Sequence, residues 1–192
     1  LNDDNVELVT ITGKAGTGKT FLTIVSAVEH VMKKKMKRIV VTRTMQPVGK
    51  EIGFLPGDIN EKVGPWMGSI KDNFRAGYGS LTYYETMLQR GTIEITPISL
   101  IRGRTFEDTF IIVDEAQNSS VHELKTLITR VGENSKIVLL GDIDQIDTPY
   151  LDAKSSGLSI VIDKLKDLKE TGHVHLEKGE RSNLATKASR LL

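Results

Sequence analysis

The 192-residue chain contains no cysteine, which excludes disulfides, thiolate zinc sites and a cysteine nucleophile. Any metal must therefore be held by oxygen or histidine, and an ordinary cytosolic redox setting fits the composition. Long apolar runs are missing as well: residues 110–113 and 137–140 are the longest such stretches. Both fall far short of the roughly 20 residues a membrane helix needs, and no segment reads as a signal peptide, so a cytoplasmic location is expected. Neither sign of charge dominates, with 26 Lys plus Arg against 25 Asp plus Glu. A net charge of +1 gives no global case for nucleic-acid or membrane binding, so a polyanion site has to be local. No internal repeat, low-complexity tract or interdomain linker is visible, and the acidic cluster of a nuclease is missing. What remains is a balance of 39% hydrophobic and 27% charged residues, which suits one soluble globular domain over residues 1–192. The chain starts at Leu1 and passes through a short polar stretch into strand-like sequence, as a fragment of a longer protein would.

Residues 6–12 are rich in β-branched side chains and end at Gly13, while 20–32 carry Leu22, Val25, Val28 and Met32 at helical spacing. The basic cluster Lys33, Lys34, Lys35, Lys37 and Arg38 follows that helix and reads as a solvated face. A second strand is expected at 39–42. Beyond it, through Gly79, come Pro47, Gly49, Gly53, Pro56, Gly57, Gly64, Pro65 and Gly68, which suggest functional loops with short helices. Residues 92–98, 110–113, 137–140 and 173–176 are further short apolar strands. Between the middle pair, Ser120 and Glu123 form a capping box, Leu124, Leu127, Ile128 and Val131 form one stripe, and Gly132 stops the helix. Strands alternating with helices predict an α/β fold with a doubly wound, mostly parallel sheet, whose ligands sit at the strands' carboxyl ends.

Gly13-Lys14-Ala15-Gly16-Thr17-Gly18-Lys19-Thr20 satisfies G-x-x-x-x-G-K-[ST] between a strand and a helix. Such a loop points successive N–H groups at phosphate oxygens, aided by the positive end of the following helix. Lys19 is expected on the β- and γ-phosphates and Thr20 on Mg²⁺. The apolar run 110–113 delivers Asp114 and Glu115 to the sheet edge, Asp114 suited to the Mg²⁺ shell and Glu115 to activating water. After the next strand, Gly141-Asp142-Ile143-Asp144-Gln145 offers Gln145 as a reporter of the γ-phosphate. No N-K-x-D run accompanies these motifs, so ATP is favoured over GTP.

The phosphate loop, Asp114-Glu115-Ala116-Gln117 and the 141–145 turn resemble the nucleotide-binding half of superfamily 1 helicases. Residues 53–58 (GFLPGD), 102–105 (RGRT) and 178–182 (KGERS) narrow that resemblance to PhoH-like ATPases over nearly the whole chain. Asp147 and the stretches 149–152 and 156–158 look closest to the branch in which a PIN ribonuclease domain precedes the ATPase. The resemblance implies a RecA-like P-loop NTPase fold, ATP with Mg²⁺, single-stranded RNA as a partner and a homo-oligomeric ring. In such a ring Arg181 would act as an arginine finger, in a neighbour or in its own chain. Arg43, Phe54, Trp66, Arg102 and Arg104 fall where the family places its nucleic-acid path, although Phe54 and Trp66 equally suit packing beneath their loops. The family's usual proline after the strand-2 arginine is Thr44 here, and the family's adenine-recognising glutamine segment is not part of this sequence. His173 and His175 share a strand face without a third metal ligand and read as ordinary strand histidines. The implied activity is ATP hydrolysis driving RNA remodelling. A nucleotide-dependent scaffold and a P-loop small-molecule kinase are the alternatives, the kinase being disfavoured by the DEAQ run and the 141–145 turn.

Overall fold

A computed structural model describes residues 1–44, 59–101, 103–148 and 151–179. Among them are six strands: β1 (Leu8–Gly13), β2 (Arg38–Thr42), β3 (Ile93–Ile95), β4 (Thr109–Val113), β5 (Lys136–Gly141) and β6 (Thr171–Leu176). They form one sheet in the order β3-β2-β4-β5-β1-β6, and every neighbouring pair is parallel. Parallel strands buried on both faces need apolar residues at odd and even positions alike, and β4 shows this. Phe110 and Ile112 join the core under one helical layer, while Ile111 and Val113 join the core under the other.

The first layer is built by α1 (Lys19–Met32), α2 (Ile59–Tyr78) and α3 (Thr82–Gln89). Ile24, Ala27, Val28, Ile70, Phe74 and Tyr84 supply its apolar face. The second layer is α4 (Val121–Ile128) and α5 (Gly157–Leu165), which bury Leu124, Leu127, Leu158 and Val161. Ser120 accepts from Glu123 N–H while Glu123 accepts from Ser120 N–H, the reciprocal cap the sequence suggests for α4.

Three boundaries differ from the sequence reading. Most of the Gly- and Pro-punctuated region after α2's start is one 20-residue helix rather than loops with short helices. Its stripe, Trp66, Ile70, Phe74 and Tyr78, recurs every four residues, and burial of that stripe outweighs the helix-weakening Gly64, Pro65 and Gly68. The 92–98 strand shortens to β3: Thr96 N–H still donates to Val41 O, and Pro97, which has no donor, then ends the ladder. The helix expected to run to Val131 stops at Ile128, because Val131 leaves it to pair with Phe106.

Three cations of the basic cluster after α1 are paired locally. Lys33 pairs with Glu29, Lys35 with Asp4 and Lys37 with Asp108. Exposed pairs of this kind add little stability, but they hold the cluster as a mixed-charge face. The Phe74 ring lies 5.2 Å from Tyr84 and 5.9 Å from Tyr78, locking α2 to α3. Phe74→Ala should lower the unfolding free energy by about 3–5 kcal/mol, read as an earlier urea midpoint.

Candidate nucleotide site

Gly13 ends β1 directly beside Leu176 of β6. Its φ is 151°, and a Cβ there would lie 2.4 Å from Leu176 O, so no larger residue fits without moving a strand. Gly16 and Gly18 turn the chain back at φ 84° and 85°, the second at the N-cap of α1. Thr17 Oγ1 donates to Lys14 O at 2.8 Å, bracing the loop from inside. Lys19 Nζ donates to Gly13 O at 2.5 Å and Lys14 O at 3.0 Å, which curls its ammonium over the loop.

β4 ends at Val113, level with Thr42 of β2, and Asp114 N–H donates to Thr42 O. Asp114 is buried, and Thr20 Oγ1 donates to its Oδ1 at 3.3 Å. Burial raises the Asp114 pKa first and the neighbouring Glu115 charge raises it further, while the Arg43 cation pulls the other way. A buried carboxylate beside a hydroxyl and a second acid is a donor set that gains from a divalent cation. Glu115 takes a left-handed φ of 52°, unusual for a residue with a side chain, and so leaves β4 abruptly.

β5 lies between β1 and β4, so its outgoing loop falls between the phosphate loop and Asp114-Glu115. Asp142 Oδ2 accepts from Ala15 N–H at 3.1 Å, and its Oδ1 accepts from Asp144 N–H at 3.1 Å. Lys19, Thr20, Asp114, Glu115, Asp142 and Gln145 thus border one cavity of about 240 Å³, together with Ala15, Gly16 and Gly18.

Two side chains here went unassigned in the sequence. Gln117, fully buried on the 3₁₀ turn Ala116–Asn118, bonds to Glu115, Gln145 and Asp142. Its place in the DEAQ run was the available signal. Asn73 reaches the cavity from α2, and its amide donates to Ser69 O at 2.8 Å. Nothing in the motif spacing pointed to Asn73, because a loop-rich reading of that region gives it no fixed face.

The candidate nucleic-acid residues separate. Arg43 sits over the ring of the buried Trp66 at 5.8 Å. Trp66 is therefore packed rather than displayed. Arg104 forms a two-pronged fork with Glu94, at 2.6 and 2.8 Å, and lies 5.0 Å from the Phe106 ring centroid. Phe54, Arg102 and Arg181 lie outside the described residues. Thr44, standing where proline is usual, shares a 2.7 Å hydrogen bond with Ser119. His173 and His175 bond through Nδ1 to Thr10 and Thr12, and among the described residues no group of three or more His, Asp or Glu gathers as a metal site would need without other ligands. No described helix is long and apolar enough to cross a membrane.

Comparison with known proteins agrees with this architecture. The PhoH-like protein family matches residues 1–191. Protein PhoH2 of Bacillus subtilis is 47% identical over 98% of this chain and 44% of its own length. A PhoH-like protein of the same organism is 39% identical over 89% of this chain and 53% of its own. Protein PhoH2 of Mycolicibacterium smegmatis is 38% identical over the full chain and 44% of its own length. The chain thus spans about half the length of the curated relatives it matches.

Trp66 is the single tryptophan, and the Arg43 cation above it also feels Asp114. Adding ATP with Mg²⁺ should therefore change Trp66 emission, and Arg43→Ala should remove most of that change in a fluorescence titration.

Proposed function

Because the chain belongs to the PhoH-like family of P-loop nucleotide-binding proteins, we propose that it hydrolyses ATP with Mg²⁺ and couples turnover to single-stranded RNA. The observation that carries this reading is the pairing of Asp114 and Glu115 on the cavity that Lys19 and Thr20 also border. One acid suits a metal and its neighbour suits a water, the division of labour that hydrolysis at phosphorus requires.

The 13–20 loop binds the phosphates through its N–H groups, and Lys19 exchanges its carbonyl partners for β- and γ-phosphate oxygens. Thr20 Oγ1 and Asp114 would hold Mg²⁺, which supplies charge neutralisation and polarises the γ-phosphate when bound. Glu115 orients a water and takes its proton as the new oxygen–phosphorus bond forms, while the β–γ bridging bond breaks and the electron pair leaves on ADP. Gln145, which borders the same cavity, would report the loss of the γ-phosphate. Arg181 stabilises charge in the transferring group, which suits a ring in which one copy completes the next copy's site.

RNA coupling draws its support from the likeness to superfamily 1 helicases and from Arg43, whose guanidinium links the end of β2 to the Asp114 field. Phe54 and Arg102 complete the proposed contact set, and Arg104 joins it only by releasing Glu94. Such a motor would feed RNA to an upstream PIN ribonuclease domain in the whole protein, and a cytoplasmic setting suits both.

Steady-state phosphate release with and without single-stranded RNA tests the reading. RNA should stimulate turnover, and Glu115→Gln should lower kcat by about 10²–10⁴-fold while ATP binding persists. Transfer of label to an acceptor other than water would identify a kinase instead. Binding without release would identify a scaffold.

A further inference from the structure

Gln117 is the most constrained polar side chain of the site. It is fully buried, and its amide uses all the hydrogen-bonding capacity that points at its neighbours. Nε2 donates to Glu115 Oε2 at 2.6 Å and to Gln145 O at 2.9 Å, while Oε1 accepts from Asp142 N–H at 3.1 Å. Its backbone carbonyl is held by Ser156 Oγ at 2.9 Å, so the 3₁₀ turn that carries it cannot drift. Gly141 lets the amide in: a Cβ at that position would stand 2.7 Å from Gln117 Oε1 and 2.4 Å from Leu158.

Only a primary amide offers two donors and an acceptor in one plane. A glutamate at 117 would keep the acceptor for Asp142 N–H but turn an acceptor toward Glu115 and Gln145 O. A methionine would offer neither donor. Two further bonds extend the connection outward. Asn118 Oδ1 accepts from Asp147 N–H at 2.8 Å, and Ser119 bonds Thr44 at 2.7 Å. The turn after Asp114-Glu115 is thus tied to the loops that follow both β2 and β5.

We propose that Gln117 is a positioning residue that locks the Glu115 carboxylate to the 142–145 loop, so that the water-activating acid and Gln145 shift together. This rests on the ATPase reading given above. The bonds of the amide run to Glu115 on one side and to the Gln145 and Asp142 backbone on the other, so it acts through those groups. Its contribution belongs chiefly to the chemical step, because the bonds of Thr17 and Lys19 to the phosphate loop's carbonyls do not pass through it.

The test compares wild type, Glu115→Gln, Gln117→Glu, Gln117→Met and the Glu115→Gln, Gln117→Glu double variant in phosphate release with ATP and Mg²⁺. Binding of a fluorescent ATP analogue and thermal melting are followed alongside. Gln117→Glu should lower kcat more than about tenfold with KM and analogue affinity within about threefold of wild type. In the Glu115→Gln background the same change should cost less than about threefold, because a positioning residue has nothing left to position. Gln117→Met, which removes the donors without adding charge, should reproduce the kcat loss. Wild-type kcat in folded Gln117→Glu, a KM that rises in step with the loss, or a full additional loss in the double variant would each overturn the inference. A wild type without turnover would remove the ATPase reading along with it. A wild type that depends on Glu115 but ignores Gln117 would remove this inference alone.

Discussion

Every strand of the sheet runs the same way, and the site depends on that single constraint. Parallel pairing brings the carboxyl ends of β1, β4 and β5 to one edge, where Gly13, Asp114 and Gly141 leave the sheet within reach of each other. Because β5 intervenes between β1 and β4, the phosphate loop and the acidic pair leave the sheet two strand spacings, about 10 Å, apart. That gap is filled by the 141–145 loop. An adjacent β1–β4 pair would bring the acids closer to the loop and leave no intervening strand from which Asp142 could brace Ala15.

The polar network on that edge is tied through Asp142 and Gln117. Asp142 and Gln117 are both buried, and each spends its hydrogen-bonding groups on a different loop. In a low-dielectric setting such bonds strengthen one another, whereas one left unmade is costly, so the loops keep a fixed spacing. Asp114 is the exception. Burial and the Glu115 charge disfavour its ionised form, and the Thr20 hydroxyl and Arg43 offset that only in part. A buried carboxylate with a second acid beside it is a setting that a cation would relieve.

Much of this was legible in the sequence, for physical reasons. The phosphate loop, α1, β4 and the α4 capping box are local events: strict glycine spacing, a continuous apolar run and a reciprocal Ser120–Glu123 pair each depend on neighbours a few residues away. The α2 helix was not legible, because its stabilisation comes from burying Ile70 and Phe74 against a distant sheet while Gly64, Pro65 and Gly68 advertise a loop. The same cause hid Asn73, whose position on the cavity follows from the helix. Gln117 was visible as a motif letter but not as a junction, since its three partners lie 2, 25 and 28 residues away and meet only when β5 enters between β1 and β4. Arg104 shows a partner that local spacing could not supply: two arginines around a glycine suggest a phosphate contact, and Glu94 of β3, ten residues away, accepts the Arg104 fork here.

Lys19 shows how such a site can be rigid and still responsive. Its ammonium bonds to the carbonyls of Gly13 and Lys14, neutral acceptors belonging to the loop that carries it. Phosphate oxygens are charged acceptors, and bonds to charged groups are shorter and roughly twice as strong. Exchanging one set for the other costs the loop little, because Thr17 Oγ1 still holds Lys14 O and the Leu176 ladder still fixes Gly13. On the proposed reading, reorganisation at the loop would fall on the Lys19 side chain, while the backbone of the loop is set by three glycines and a neighbouring strand. Binding then transmits its effect through groups with no such freedom. On the same reading, a cation at Asp114 would change that residue's electrostatic surroundings, and the Gln117 amide, bonded to Glu115, Gln145 and Asp142, would carry the change to the 142–145 loop.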